Sequence, residues 1–294
     1  MAELAALGAA LCWALASLVA AGAARALGGI AFTRVRMVLV ALMLGAFLAV
    51  AGATAVAPED WAALAVSGIV GIAVGDTALF VCLERLGPRR TAILFSTNAP
   101  FTVALAWVLL GEALSAQALG GCALVAAGVA VAIAHGTRAG PVDAWESVRG
   151  SLAVGVAIGL LAALGQSVGS LLATPALERG TDAATVATVR IVAALAALYA
   201  MRLALPGRTR ALGPMTPALL GRLALSGLLG MALGMTLLLW AFEHGSVGLS
   251  AALSSTTPVL MVPLIWLVSG ERPAPGAWAG AALAVAGAAM IVLR

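Results

Sequence analysis

Apolar stretches of about twenty residues, separated by short polar breaks, follow one another along the whole chain. At a rise of 1.5 Å per residue, about 20 apolar residues carry a helix across the hydrocarbon core of a bilayer. That length marks ten segments, at about 4–24, 31–53, 62–83, 91–111, 116–135, 151–173, 184–205, 222–242, 249–269 and 275–293. The breaks hold residues that end helices or turn the chain: Gly28-Gly29, Pro58-Glu59-Asp60, Leu86-Gly87-Pro88-Arg89-Arg90 and Pro206-Gly207-Arg208. The pattern predicts an all-α polytopic membrane protein with ten transmembrane helices.

A displacement of 159 residues lays the chain on itself. Gly71, Gly75, Thr77, Glu84, Ser96, Thr97, Trp107, Gly111 and Glu112 then fall on Gly230, Gly234, Thr236, Glu243, Ser255, Thr256, Trp266, Gly270 and Glu271. Paired Trp and paired Glu in one ungapped register point to a duplication. The first helices of each half match more weakly, through Val35-Arg36-Met37 against Val189-Arg190-Ile191 at an offset of 154. The polar stretch Gly136 to Arg149 divides the copies, giving a first five-helix repeat over 1–135, a linker over 136–150 and a second repeat over 151–294. A unit with an odd number of crossings re-enters the membrane from the opposite side, so two inverted five-helix repeats are predicted. Gly121 and Gly128 recur as Gly280 and Gly287, which predicts close-packed scaffold helices, within a monomer rather than across a dimer.

Composition supports the bilayer as solvent. Hydrophobic residues are 63% of the 294, charged residues 10%, and the mean hydropathy is +1.11, against roughly 25% charged in a soluble domain. The first apolar run starts after Glu3 with no basic segment before it, and is expected to be a retained span. Cys12, Cys82 and Cys122 lie in apolar runs without paired spacing and predict no disulfide framework or metal site. The net charge of +4 comes from sixteen arginines and no lysine. They form no basic helix or aromatic-laced patch, so nucleic acid is not an expected partner.

The arginines speak instead to orientation. Thirteen flank the breaks after the odd-numbered spans, and Arg179, Arg190 and Arg294 lie on the other side. The positive-inside rule then places both termini outside the cytoplasm, in the periplasm for an inner-membrane protein.

Ionisable residues inside spans are the sharpest functional leads, because each needs a partner or an aqueous cavity. Asp76, in Gly75-Asp76-Thr77, has Met235 as its repeat mate and so breaks the symmetry. It is expected either to bind a proton or a cationic substrate group, or to serve as a structural acid bonded to a neighbouring helix. Arg36 and Arg190 sit at matched places, where they can grip a carboxylate or snorkel to the interface. Glu84, Glu112, Glu243 and Glu271 close helices in symmetric pairs and are expected to hold loops or helix N-termini.

Ser96, Thr97, Asn98 and Pro100 match Ser254, Ser255, Thr256, Thr257 and Pro258. Proline frees a backbone carbonyl, which the hydroxyls can rebond or leave to line a cavity. Thr77, Gln166 and Ser170, with Trp13, Ser17 and Trp240, complete the expected substrate cavity. There is no phosphate loop, HExxH, His/Cys cluster or nucleophile elbow, so neither catalysis nor a cofactor is predicted. Work would come from a gradient of ions or of substrate, with Asp76 the candidate for proton coupling.

Gly71–Glu84 followed by Leu94–Glu112, repeated as Gly230–Glu243 and Leu253–Glu271, resembles the drug/metabolite transporter superfamily in its EamA-type branch, over essentially the whole chain. The resemblance implies an inner-membrane secondary transporter working by alternating access, with the last helix of each half outside the path. It also implies cytoplasmic termini, opposite to the arginine count. Small amphipathic metabolites fit the available chemistry, amino acids and aromatic ones first. A drug-like or other metabolite remains a further alternative, and a non-transporting scaffold is the alternative from another class.

Overall fold

The computed structural model describes residues 1–110, 115–135, 147–207, 209–234, 237–238, 240–241, 253–254, 256–270 and 272–293, and every regular element among them is helical. Glu112, Glu243, Glu271, Ser255 and most of the predicted linker lie outside the described residues. The helices are α1 (Ala2–Leu27), α2 (Gly29–Ala51), α3 (Asp60–Leu86), α4 (Pro88–Phe95), α5 (Asn98–Leu110), α6 (Ala116–His135), α7 (Leu152–Glu178), α8 (Ala183–Ala204), α9 (Pro217–Leu233), α10 (Thr257–Ser269) and α11 (Pro275–Val292). Seven of them (α1, α2, α3, α6, α7, α8 and α11) are long and apolar enough to cross a membrane, while α9 and α10 are shorter apolar helices.

The predicted fourth span differs from expectation. It is broken into α4 and α5 by a turn at Ser96 and Thr97, three residues before Pro100. Pro100 has no N–H to give, and the hydroxyls of Ser96 and Thr97 close on the carbonyls of Ile93 and Leu94 at 2.6 and 2.7 Å. In the second half Thr256 repeats the Thr97 bond, to Leu253 O at 2.7 Å. Helices α3 and α9 also leave regular geometry, widening to π turns over Gly68–Asp76 and Leu228–Leu233.

Small residues set the packing. A Cβ on Gly121 would lie 2.7 Å from Gly287 O, and one on Gly128 only 2.6 Å from Gly280 O, so α6 and α11 meet backbone to backbone. Across the other seam, a Cβ on Gly169 of α7 would lie 2.6 Å from the Cα of Gly71 in α3, and one on Gly165 3.1 Å from the Cα of Gly75. These glycine contacts bring α3 of the first half against α7 of the second closely enough to fix the height of Asp76.

Each end of the bundle has its own ties. At one, Arg25 donates to Ser147 O at 2.6 Å, Arg149 N to Arg85 O at 2.8 Å and Leu212 N to Leu27 O at 3.0 Å. At the other, Arg179 pairs with the buried Asp60, its Nε 2.9 Å from Oδ2. Asp182 there caps α8, accepting from Thr185 N at 2.9 Å and from the Thr54 hydroxyl. Glu84 sits at the arginine-rich end with Oε2 2.8 Å from Gly29 N, so it caps α2 from a neighbouring helix.

Candidate functional site

Three charged residues from three helices meet inside the bundle. Asp76 on α3 has Arg36 of α2 3.8 Å from its Oδ2 and also lies within electrostatic reach of Arg190 on α8. Two guanidiniums and one carboxylate leave a net charge of +1 in a setting where even one charge is costly.

The two arginines are built differently. Arg36 is 5% exposed and held by Asp76 at 3.8 Å, Ser226 O at 3.4 Å, and the Phe80 ring with its centroid 5.0 Å away, while its Nε is buried without a hydrogen-bond partner. Phe80 is braced in turn by Phe32, ring centroids 4.6 Å apart. Arg190 instead buries Nε and Nη2 with no hydrogen-bond partner for either. Thr77 Oγ1 and Ser226 Oγ are buried without partners as well.

Glycines decide where the guanidiniums lie. Arg190 Nη2 is 3.1 Å from where a Gly71 Cβ would be, and Arg36 Nη2 is 2.9 Å from that of Gly230. Gly71 and Gly230 are repeat mates, so the arginine of each half rests on the matching glycine of the other half. Trp13 of α1 approaches the same glycine-rich turn of α9, its indole N–H 2.9 Å from Gly230 O. Ser17 donates back to Trp13 O at 2.9 Å.

A cavity of about 180 Å³ opens beside Arg190. Its walls are Met43, Leu44 and Phe47 of α2, Ile72 of α3, Met231 of α9 and the alanines at the start of α8, and Arg190 is the one charged residue among those lining it. Alanine at 183, 184 and 187 leaves this space open where larger residues would fill it.

The other predicted residues lie elsewhere. Asn98 and Ser167 tie α5 to α7: Asn98 Nδ2 donates to Ala163 O at 3.3 Å, and Ser167 Oγ to Asn98 O at 2.9 Å. Gln166 is half-buried beside Gly75, while Ser170 and Trp240 are exposed. The hydroxyls of Ser96 and Thr256 are occupied by backbone carbonyls. Trp107 and Trp266 are 53% and 42% exposed, in keeping with a belt at the membrane surface. Sequence reasoning missed Ser226 and the cavity wall. Carrying the repeat four residues upstream of Gly71 pairs Ser67 with Ser226 and would have found the former.

The model of the EamA-like transporter family matches the chain twice, over residues 1–134 and 153–293. A solved structure described only as "Crystal structure of protein" superposes with a TM-score of 0.65 at 20% identity, covering 99% of this chain and 96% of the other. That likeness concerns the fold. No curated protein matches the chain.

Proposed function

This chain belongs to the EamA-like transporter family, matched over both halves, and from that premise we propose that it is a secondary transporter that exports small amphipathic metabolites across the inner membrane by alternating access. Amino acids, aromatic ones among them, are the first class to test. Ten crossings in two inverted five-helix repeats supply the scaffold, and the protein works as a monomer. The path passes between the halves at the Arg36–Asp76–Arg190 cluster, and Asp76 is the group that couples substrate movement to protons.

The single observation that supports this reading is a charged cluster shared by both halves next to an apolar cavity. Intramembrane charges that pair with one another and face a cavity mark transport paths. In repeat-built transporters, sites fall near the midplane where the repeats meet. The crossed seating of each arginine on the other half's glycine ties the site to the relative position of the halves, which is what a rocking mechanism requires.

Counterflow in proteoliposomes is the test. Vesicles preloaded with unlabelled amino acids should accumulate the labelled form in a saturable and competable way. Absence of exchange across amino acids and other metabolites would favour a non-transporting scaffold, and linear flux that never saturates would indicate a channel.

A further inference from the structure

The charge balance of the cluster and the state of Arg190 carry the reading further. A guanidinium has two edges on which paired N–H groups run parallel, and Nε with Nη2 is one of them. Both atoms of that edge are buried and unbonded in Arg190, whereas in Arg36 only Nε is, Nη2 donating to Ser226 O and Nη1 facing Asp76. An unbonded buried donor is costly, more so on a charged group, and an acceptor entering the site removes the cost. Gly71 contributes no side chain beside Nη2, so the guanidinium packs there against backbone that offers it no acceptor.

We infer that the unbonded Nε–Nη2 edge of Arg190, turned toward the adjoining cavity, binds the carboxylate of the transported molecule, and that the apolar body of that molecule lies against Met43, Leu44, Phe47, Ile72 and Met231. An arginine edge meets the two oxygens of a carboxylate with two parallel hydrogen bonds. One carboxylate also cancels the surplus positive charge of the cluster. The substrates are amphipathic molecules that carry a carboxylate, with or without an amino group, and drug-like cations are excluded. A phosphate dianion overshoots the charge balance and would want more than one open arginine edge. The thioether and aromatic surfaces of Met43, Met231 and Phe47 suit an irregular or flat apolar body. Thr77 and Ser226 provide two further hydroxyls at the cluster.

This inference rests on the reading of the cavity as part of a transport path, and the experiment separates the two. Thermal unfolding of the purified full-length protein would be followed with 3-phenylpropanoate, L-phenylalanine, 3-phenylpropanamide, 2-phenylethylammonium and phenyl phosphate, since a ligand of the native state raises its melting temperature. The two carboxylates should stabilise in proportion to concentration, and the amide, ammonium and phosphate should not. Arg190→Gln should weaken the carboxylates about ten- to a hundredfold, from the loss of charged hydrogen bonds, and Arg190→Lys should retain part of the affinity.

Equal stabilisation by the amide, ammonium or phosphate overturns the assignment. So does carboxylate affinity that survives Arg190→Gln, or no response to either carboxylate at millimolar concentration. The comparison on the unmodified protein decides the class even where a variant fails to fold. Carboxylate binding without counterflow of 3-phenylpropanoate would retire the transport reading and leave the site standing. Counterflow of the ammonium compound alone would do the reverse.

Discussion

Asp76 stands where the second copy of the repeat has Met235, so the duplication supplies no matching acid. Among the described residues, its carboxylate is the negative charge set against two arginines in the cluster. Asp76→Asn removes that charge with little change of shape. Gradient-driven uptake into proteoliposomes should fall to background, while ligand-dependent thermal stabilisation should survive, because Arg190 keeps its unbonded edge. Retained gradient-driven uptake with an unchanged pH profile would take Asp76 out of proton coupling.

Asp182, outside the spans, offers a plainer residue-scale test. Burial alone would raise its pKa, but hydrogen bonds from the hydroxyl and amide groups of Thr185 and Thr54 outweigh burial and hold it well below its ordinary 3.8. A carboxyl with a lowered folded pKa contributes stability above the unfolded value and loses it as pH falls through the folded value. Asp182→Ala should cost about 1 kcal/mol as a lost helix cap, read by thermal unfolding in detergent. The difference from wild type should stay constant from neutral pH down to about pH 5 and close only in stronger acid.

At the scale of elements, the helices were legible in the sequence because each apolar run had to be long enough to cross lipid, and glycine or proline had to end it. Gly28 and Gly87-Pro88 mark boundaries where they were expected, while the helix expected to start near 222 begins at Pro217. The π turns in α3 and α9 and the break between α4 and α5 were not legible. They depend on which carbonyl a hydroxyl or a neighbouring backbone reaches, which periodicity does not encode. The cavity was invisible for a related reason: Met43, Leu44 and Phe47 are apolar residues of an apolar span, and nothing in the sequence places α8 beside them.

Glycines separate contact from propensity at this scale. A Cβ at Gly68 would run into the backbone carbonyl of Arg190, so Gly68→Ala must push α8 away from α3 and carry the Arg190 backbone with it. The expected loss is about 1–3 kcal/mol of stability, as for other overpacked sites, together with weakened carboxylate binding. Gly45→Ala in α2 meets nothing within 4 Å. That substitution should be neutral or stabilising by up to about 1 kcal/mol, because alanine is the better helix former. Equal losses at the two positions in the melting assay would show that packing between α3 and α8 does not hold the site.

For the molecule as a whole, the duplication was readable because paired residues of the later helices kept one register at 159, and the charged pair Arg36 and Arg190 matched at a separate offset of 154. The crossing of those arginines onto opposite halves was not readable, since sequence spacing says nothing about which half a side chain leans on. Orientation can be tested at this scale. Arginine-bearing segments around Arg25, Arg85, Arg149 and Thr209 gather at one end of the bundle, away from Asp60 and Asp182. If that end faces the cytoplasm, a reporter enzyme active only in the periplasm should be active when fused after Arg294; an inactive fusion that is nonetheless stably made would reverse the assignment.

Because Arg36 rests on Gly230 and Arg190 on Gly71, each half holds the seat for the other's cation. Expressed as separate polypeptides, residues 1–135 and 151–294 would each lack half of the contacts that shape the pocket. Cells producing either fragment alone should show no export phenotype, and cells producing both should regain it. A glycine replaced in one fragment should then be compensated, if at all, by a change in its companion.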